Sequence, residues 1–144
     1  MKLLVRNTAS GLVPLYDDDY EEKRRLKIGE DYLVEVKRAR NIKFHRKYFS
    51  LIRCAWDLQS EARQAFFKND ITVFRKTVEI AAGHCEVAYN LSAKAWVEYP
   101  KSLAFDKMSG DEFDIFYIKA YDVLRDVFLR HITQEQFEEK LMNY

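Results

Sequence analysis

Asn41-Ile42-Lys43-Phe44-His45-Arg46-Lys47-Tyr48-Phe49-Ser50-Leu51-Ile52-Arg53-Cys54-Ala55-Trp56-Asp57-Leu58 is the stretch whose reading decides the fold. Phe44, Tyr48, Leu51, Ile52, Ala55 and Leu58 recur at spacings of three and four, widened by Phe49 and Trp56. Lys43, Arg46, Lys47, Ser50, Arg53 and Asp57 recur at the same spacings out of phase with them. One helix therefore carries an aromatic face for a core and a basic face for solvent. Asn41 is placed to cap it, and the pattern runs beyond Leu58. Upstream, Lys37, Arg38 and Arg40 extend the cations, so Lys37 to Arg53 holds seven basic residues and no acid.

On the N-terminal side of this helix, Asp31 to Arg38 alternates, with Tyr32, Val34 and Val36 on one face and Leu33, Glu35 and Lys37 on the other. The alternation predicts a half-buried strand. Before it, Asp17 is placed to cap a helix of about three turns. Asp18, Asp19, Glu21 and Glu22 open that helix, Lys23 to Lys27 close it and Gly29 stops it, an order that complements the helix dipole. Lys2 to Arg6 and Leu12 to Tyr16 read as short extended pieces.

On the C-terminal side, Asp57 to Lys68 continues or restarts as helix, Asn69-Asp70 breaks the pattern, and Ile71 to Ala82 is a helix ended by Gly83. His84–Tyr89 and Lys94–Tyr99 alternate as a hairpin closed by Pro100. Ser109-Gly110-Asp111-Glu112 is a capping box for a long helix through Arg130, and Thr133-Gln134-Glu135-Gln136 opens a last short one. The expectation is a single α+β domain over residues 1–144, a small antiparallel or mixed sheet packed with about five helices.

Composition bounds the function classes. The apolar residues make up 48% and the aromatics 15%, so 144 residues can bury a core. The net charge is +1, but it is unevenly spread. Residues 1–105 carry 19 basic and 14 acidic side chains, and residues 106–144 carry 5 and 9. A local basic cluster can serve polyanion binding whatever the total charge. The two cysteines form no disulfide framework, no apolar run is long enough to span a bilayer, and the start lacks the apolar core of a signal peptide. These features point to a cytoplasmic protein without membrane contact.

Few residues carry chemistry. Glu35-Val36-Lys37, with Asp17, Asp18, Asp19 or Asp31 as a second carboxylate, has the pattern of a metal-dependent nuclease site, but three residues in a chain one-third charged arise easily by chance. His45, His84 and His131 are scattered, no paired cysteines or histidines stand at metal-ligand spacing, and the four glycines build no phosphate loop. The expectation is therefore a non-enzymatic protein with no cofactor or metal, the nuclease being the weaker alternative. Lys37, Arg38, Arg40, Lys43, Arg46, Lys47 and Arg53 are the candidate nucleic-acid contacts. Phe44, Tyr48 and Phe49 fit burial better than base stacking. The long helix 111–130 is apolar around most of its circumference, which predicts either a homodimer or a last helix folded back over the surplus.

Two segments carry a resemblance. Phe44-His45-Arg46-Lys47-Tyr48-Phe49 and Pro100-Lys101-Ser102 through Phe105, Met108, Glu112 and Phe113 resemble the FHRKYF and PKS…F..M…EF segments of an uncharacterised tailed-phage domain family. More distantly, Arg40, Arg46, Lys47, Phe49, Ser102, Met108, Glu112 and Phe113 are similar in layout to the lambda NinB (Orf) recombination proteins. His45 stands where that pattern has Asn, and two extra residues separate Ser102 from Met108. The resemblance implies a phage accessory protein of recombination or replication. Such a protein is dimeric, binds single-stranded DNA and meets host partners such as single-strand-binding protein or recombinase. The alternative expectation is a phage inhibitor of a host defence or DNA-processing complex, acting by protein contact.

Overall fold

The computed structural model describes residues 1–37 and 42–144, and the chain divides into two compact units, Met1–Ala39 and Arg40–Tyr144. The α+β class is confirmed. Its strands form two separate antiparallel hairpins.

In the first unit, β1 (Val5–Thr8) pairs with β2 (Gly11–Pro14), in register Val5 with Pro14 and Thr8 with Gly11. Gly11 turns the chain at φ +111°, a conformation that L side chains disfavour. Helix α1 (Asp17–Arg24) follows. Its cap is Tyr16, one residue earlier than Asp17, and the helix is two turns long. Asp19 explains the shift: its carboxylate accepts from Tyr16 N at 3.1 Å and from Leu4 N at 2.8 Å. One buried acid thus holds both the helix start and the hairpin, a use of Asp that satisfies orphan amides. Gly29, at φ +87°, ends the following turn.

The expected strand over residues 31–38 is not formed. Arg38 lies outside the described residues, and residues 31–37 are irregular and exposed, Leu33 fully so. Alternation supplies only the side chains of a strand; the backbone needs a neighbour to pair with. Among the described residues none pairs with this segment. Tyr32 instead closes the turn locally, its hydroxyl accepting from Lys27 N at 2.9 Å and donating to Glu30 at 2.9 Å.

In the second unit, α2 (Ile42–Asp57) is the axis of the core. Tyr48, Leu51, Ile52, Cys54 and Ala55 are buried on it. They meet Phe74 and Val78 of α4 (Ile71–Ala81), Phe113, Phe116 and Ala120 of α5 (Gly110–Val123) and Phe137 of α6 (Gln134–Leu141) in one cluster. Full burial of a side chain such as Leu51 or Ile52 is worth about 1.5–3 kcal/mol. Trp56, expected to be buried, is half-buried, packed on Phe74 at 5.3 Å between ring centroids. A short helix α3 (Glu61–Phe66), capped by Ser60, links α2 to α4. Left-handed Lys68 and Asn69 reverse the chain before Asp70 caps α4.

Strands β3 (Cys85–Asn90) and β4 (Ala95–Pro100) form the second hairpin. Ser109 caps α5 as its sequence predicts, accepting from Glu112 N at 3.1 Å. The long helix does not run regularly to Arg130. It ends in a π-helical turn, Leu124–Phe128, where Leu129 N donates to Leu124 O. The extra residue in this turn brings Leu124, Phe128 and Leu129 all inward, and all three are buried. The Thr133 capping box forms as expected, and α6 folds back onto α2. Phe137 is fully buried, and the Tyr144 hydroxyl bonds Asp57. The fold-back covers part of the apolar surplus, while Ile115, Ile118 and Val127 stay exposed.

Candidate nucleic-acid interface

Helix periodicity separates the two faces of α2 as its sequence predicts. Lys43, Arg46 and Lys47 are exposed, whereas Phe44, His45 and Phe49 are half-buried and Tyr48 fully buried. The Lys47 ammonium lies 4.5 Å from the Tyr117 ring centre, a cation–π contact that fixes the lysine stem while leaving its charge at the surface. Arg53, two turns on, is only half-exposed. The same end of the helix carries Cys54, whose thiol is pushed up to about 11 by burial first and by Asp57 second. The returning chain accounts for this. Tyr144 sits against Asp57, and burial and that carboxylate raise its hydroxyl to about 12. The open basic face is thus Lys43, Arg46 and Lys47, with Arg53 at its margin.

The other candidate contacts are placed differently. Lys37 belongs to the first unit and is ion-paired with Glu35 at 3.2 Å, both exposed. Arg38 and Arg40 lie outside the described residues, as does the Asn41 cap. Glu35 and Lys37 of the nuclease-like pattern are therefore neighbours on an irregular segment, and Asp19 is committed to the amides of Leu4 and Tyr16. Among the described residues no three His, Cys, Asp or Glu side chains gather as a metal site.

The aromatics of the two quoted segments converge on one another. Phe44 stacks flat on Phe113 at 4.3 Å, and His45 stacks on Phe49 at 4.2 Å. Phe105 takes the T-shaped position against His45, Tyr48 and Phe113. These rings build the core under the basic face. They hold its helix in place and are not available to stack on bases.

One polar cluster escaped the sequence reading. Glu79 on α4 is fully buried, its carboxylate held by Arg75 one turn earlier at 2.7 and 2.9 Å. Desolvation pushes Glu79 up to about 7 even though Arg75, then Lys76, pull it down. The Tyr48 hydroxyl is buried within electrostatic reach of it, although no hydrogen bond of normal geometry joins them. Burial first, and then the Glu79 charge, raise that phenol well above its usual range. Arg75 in turn lies over the Phe49 ring at 5.3 Å. The available signal was Arg75-x-x-x-Glu79, an ion-pair spacing whose members directly follow the apolar positions Phe74 and Val78. His84 sits apart from this cluster's salt bridge, edge-on to Phe116, with Nε2 3.3 Å from the Ser102 carbonyl.

Residues 1–70 match a family described as "Protein of unknown function (DUF1367)". The match takes in the first unit, α2 and α3, and hence Phe44 to Phe49. The Pro100–Phe113 segment falls outside it. No curated protein and no solved structure matches the chain.

Proposed function

We propose that this chain is a non-catalytic accessory protein of DNA recombination or replication, of the kind tailed phages encode, that binds single-stranded DNA. The observation that supports this is the face of α2, where Lys43, Arg46 and Lys47 point outward from a helix anchored by aromatic packing on its opposite side. Lys and Arg on a rigid helix neutralise successive phosphates and release their counterions. Arg53 stands at the margin of this face, and Lys37, Arg38 and Arg40 are the remaining cations of the same acid-free run. Host single-strand-binding protein or recombinase is the protein partner this role implies, in the host cytoplasm, with the active species a homodimer. Among the described residues, no helix is long and apolar enough to cross a membrane.

The test is a titration against single-stranded and duplex DNA at two salt concentrations, with light scattering on the same samples. Contact with four phosphates of a single strand predicts log affinity falling against log salt with a slope of about −3. Failure to bind either form overturns the proposal, and a mass of one chain removes the dimer.

A second reading has its own observation. Phe66 stands 78% exposed beside a groove of about 530 Å³ lined by Ser60, Ala62, Arg63, Phe67 and Phe128. An exposed ring beside an apolar groove suits protein contact. That favours an inhibitor of a host defence or DNA-processing complex, the reading to adopt if DNA binding fails.

A further inference from the structure

The basic face of α2 has cations but no free aromatic surface, because its rings are spent on the core. A protein that holds single strands ordinarily needs both, since phosphates give charge and unpaired bases give flat apolar faces. The same compact unit displays the missing half elsewhere. Every residue from Glu86 to Tyr99 is exposed, and this stretch is the β3–β4 hairpin. Trp96 is 71% exposed, and Tyr89 and Tyr99 are nearly half so.

The register places Tyr89 directly opposite Trp96, and Val87 opposite Glu98, so these four share one face of the hairpin. The Tyr89 and Trp96 rings meet at 5.6 Å and 74°, edge to face. Tyr99 is opposite Glu86 on the other face, and that nearby carboxylate raises the pKa of its hydroxyl. Each exposed ring of β4 also has a lysine two residues away: Lys94 before Trp96 and Lys101 after Tyr99. Glu98 is the carboxylate left on the Trp96 face. Two-stranded hairpins are marginal in water, and contiguous exposed apolar surface, unlike scattered single residues, marks an interaction site.

We propose that the Tyr89–Trp96 face of the β3–β4 hairpin is a stacking platform for unpaired nucleobases, with Lys94 as its phosphate contact. This rests on the single-stranded-DNA reading above and deepens it: α2 tracks the backbone and the hairpin takes the bases. A duplex hides its base faces in its own stack, so the platform also confers the preference for single strands. Stacking on a ring is tolerant of base identity, which makes the binding largely independent of sequence.

The experiment follows tryptophan fluorescence of the full chain during titration with oligo(dT), and with an abasic oligonucleotide of the same length. Oligo(dT) should quench Trp96, and the abasic strand should bind more weakly without quenching. Trp96→Ala should weaken oligo(dT) binding by on the order of tenfold and leave the salt slope unchanged, because that slope counts phosphates. Trp96→Phe should keep most of the affinity and lose the quench, which separates loss of stacking from loss of fold. Trp96→Ala with full, salt-dependent affinity overturns the platform and leaves the α2 reading standing. No binding by the wild-type chain overturns both. A two-chain mass that Trp96→Ala reduces to one, with DNA affinity unchanged, assigns the hairpin to a second copy and also overturns the platform.

Discussion

Replacing Glu79 by Gln tests the buried polar cluster directly. Glu79 is fully buried and ionises in the folded chain near 7, against an ordinary value of 4.5. Its pKa is raised, so the folded state holds the proton more tightly than the unfolded state does. Below about 4.5 both states are protonated and the group contributes nothing to the pH dependence. As pH rises from there through about 7, the unfolded chain ionises freely while the folded chain must bury a charge, so stability falls; above that it levels off. The shift corresponds to about 3 kcal/mol across the window, as an upper figure. Glu79→Gln keeps the shape and removes the proton. The Arg75 pairing is lost in the variant, but Gln carries no titratable proton, so that cost is a constant offset. Urea denaturation of both proteins at a series of pH values between 4.5 and 8 gives the difference curve. The variant should gain on the wild type steadily as pH rises, by up to about 3 kcal/mol. Parallel curves would refute the reasoning and place Glu79 in contact with water.

Three further outcomes follow from particular contacts. Changing Arg46 and Lys47 together to Ala should flatten the salt dependence of single-stranded-DNA binding by more than one unit, since each phosphate contact contributes about 0.7; an unchanged slope with the fold intact removes this face from the site. Phe44→Ala, which deletes the ring stacked on Phe113, should cost about 3 kcal/mol in urea denaturation, and a loss under 1 kcal/mol would show the ring to be peripheral. Ser109→Ala removes the cap of α5 and should cost about 1 kcal/mol, read as a lowered melting temperature, whereas the same change at solvent-exposed Ser10 should leave it unmoved.

The sequence by itself determined the elements whose signals are local. A helix closes its own hydrogen bonds, so the stripes of Phe44, Tyr48, Leu51 and Ile52 against Lys43, Arg46 and Lys47 were enough to set α2 and its two faces. Caps are local too: the Thr133 box forms as written, and Ser109 caps α5 by accepting from Glu112 N, without the reciprocal bond from the Glu112 side chain. Hairpin β3–β4 was legible because its partner strand lies only a turn away. Tertiary structure decided whatever depends on a distant neighbour. Residues 31–37 have a strand's alternation but no described partner, and they stay irregular. The cap of α1 moved to Tyr16 because Asp19 bonds Leu4, fifteen residues back. Arg53 shares the phase of Arg46 yet is half-covered, because α6 returns over that end of α2. Glu79 and Trp96 reverse the usual rule for their residue types. A carboxylate is buried because Arg75 lies one turn away inside the same core, and a tryptophan is exposed because nothing described packs over its side of the hairpin. Periodicity tells which residues share a face; only packing tells whether that face is covered.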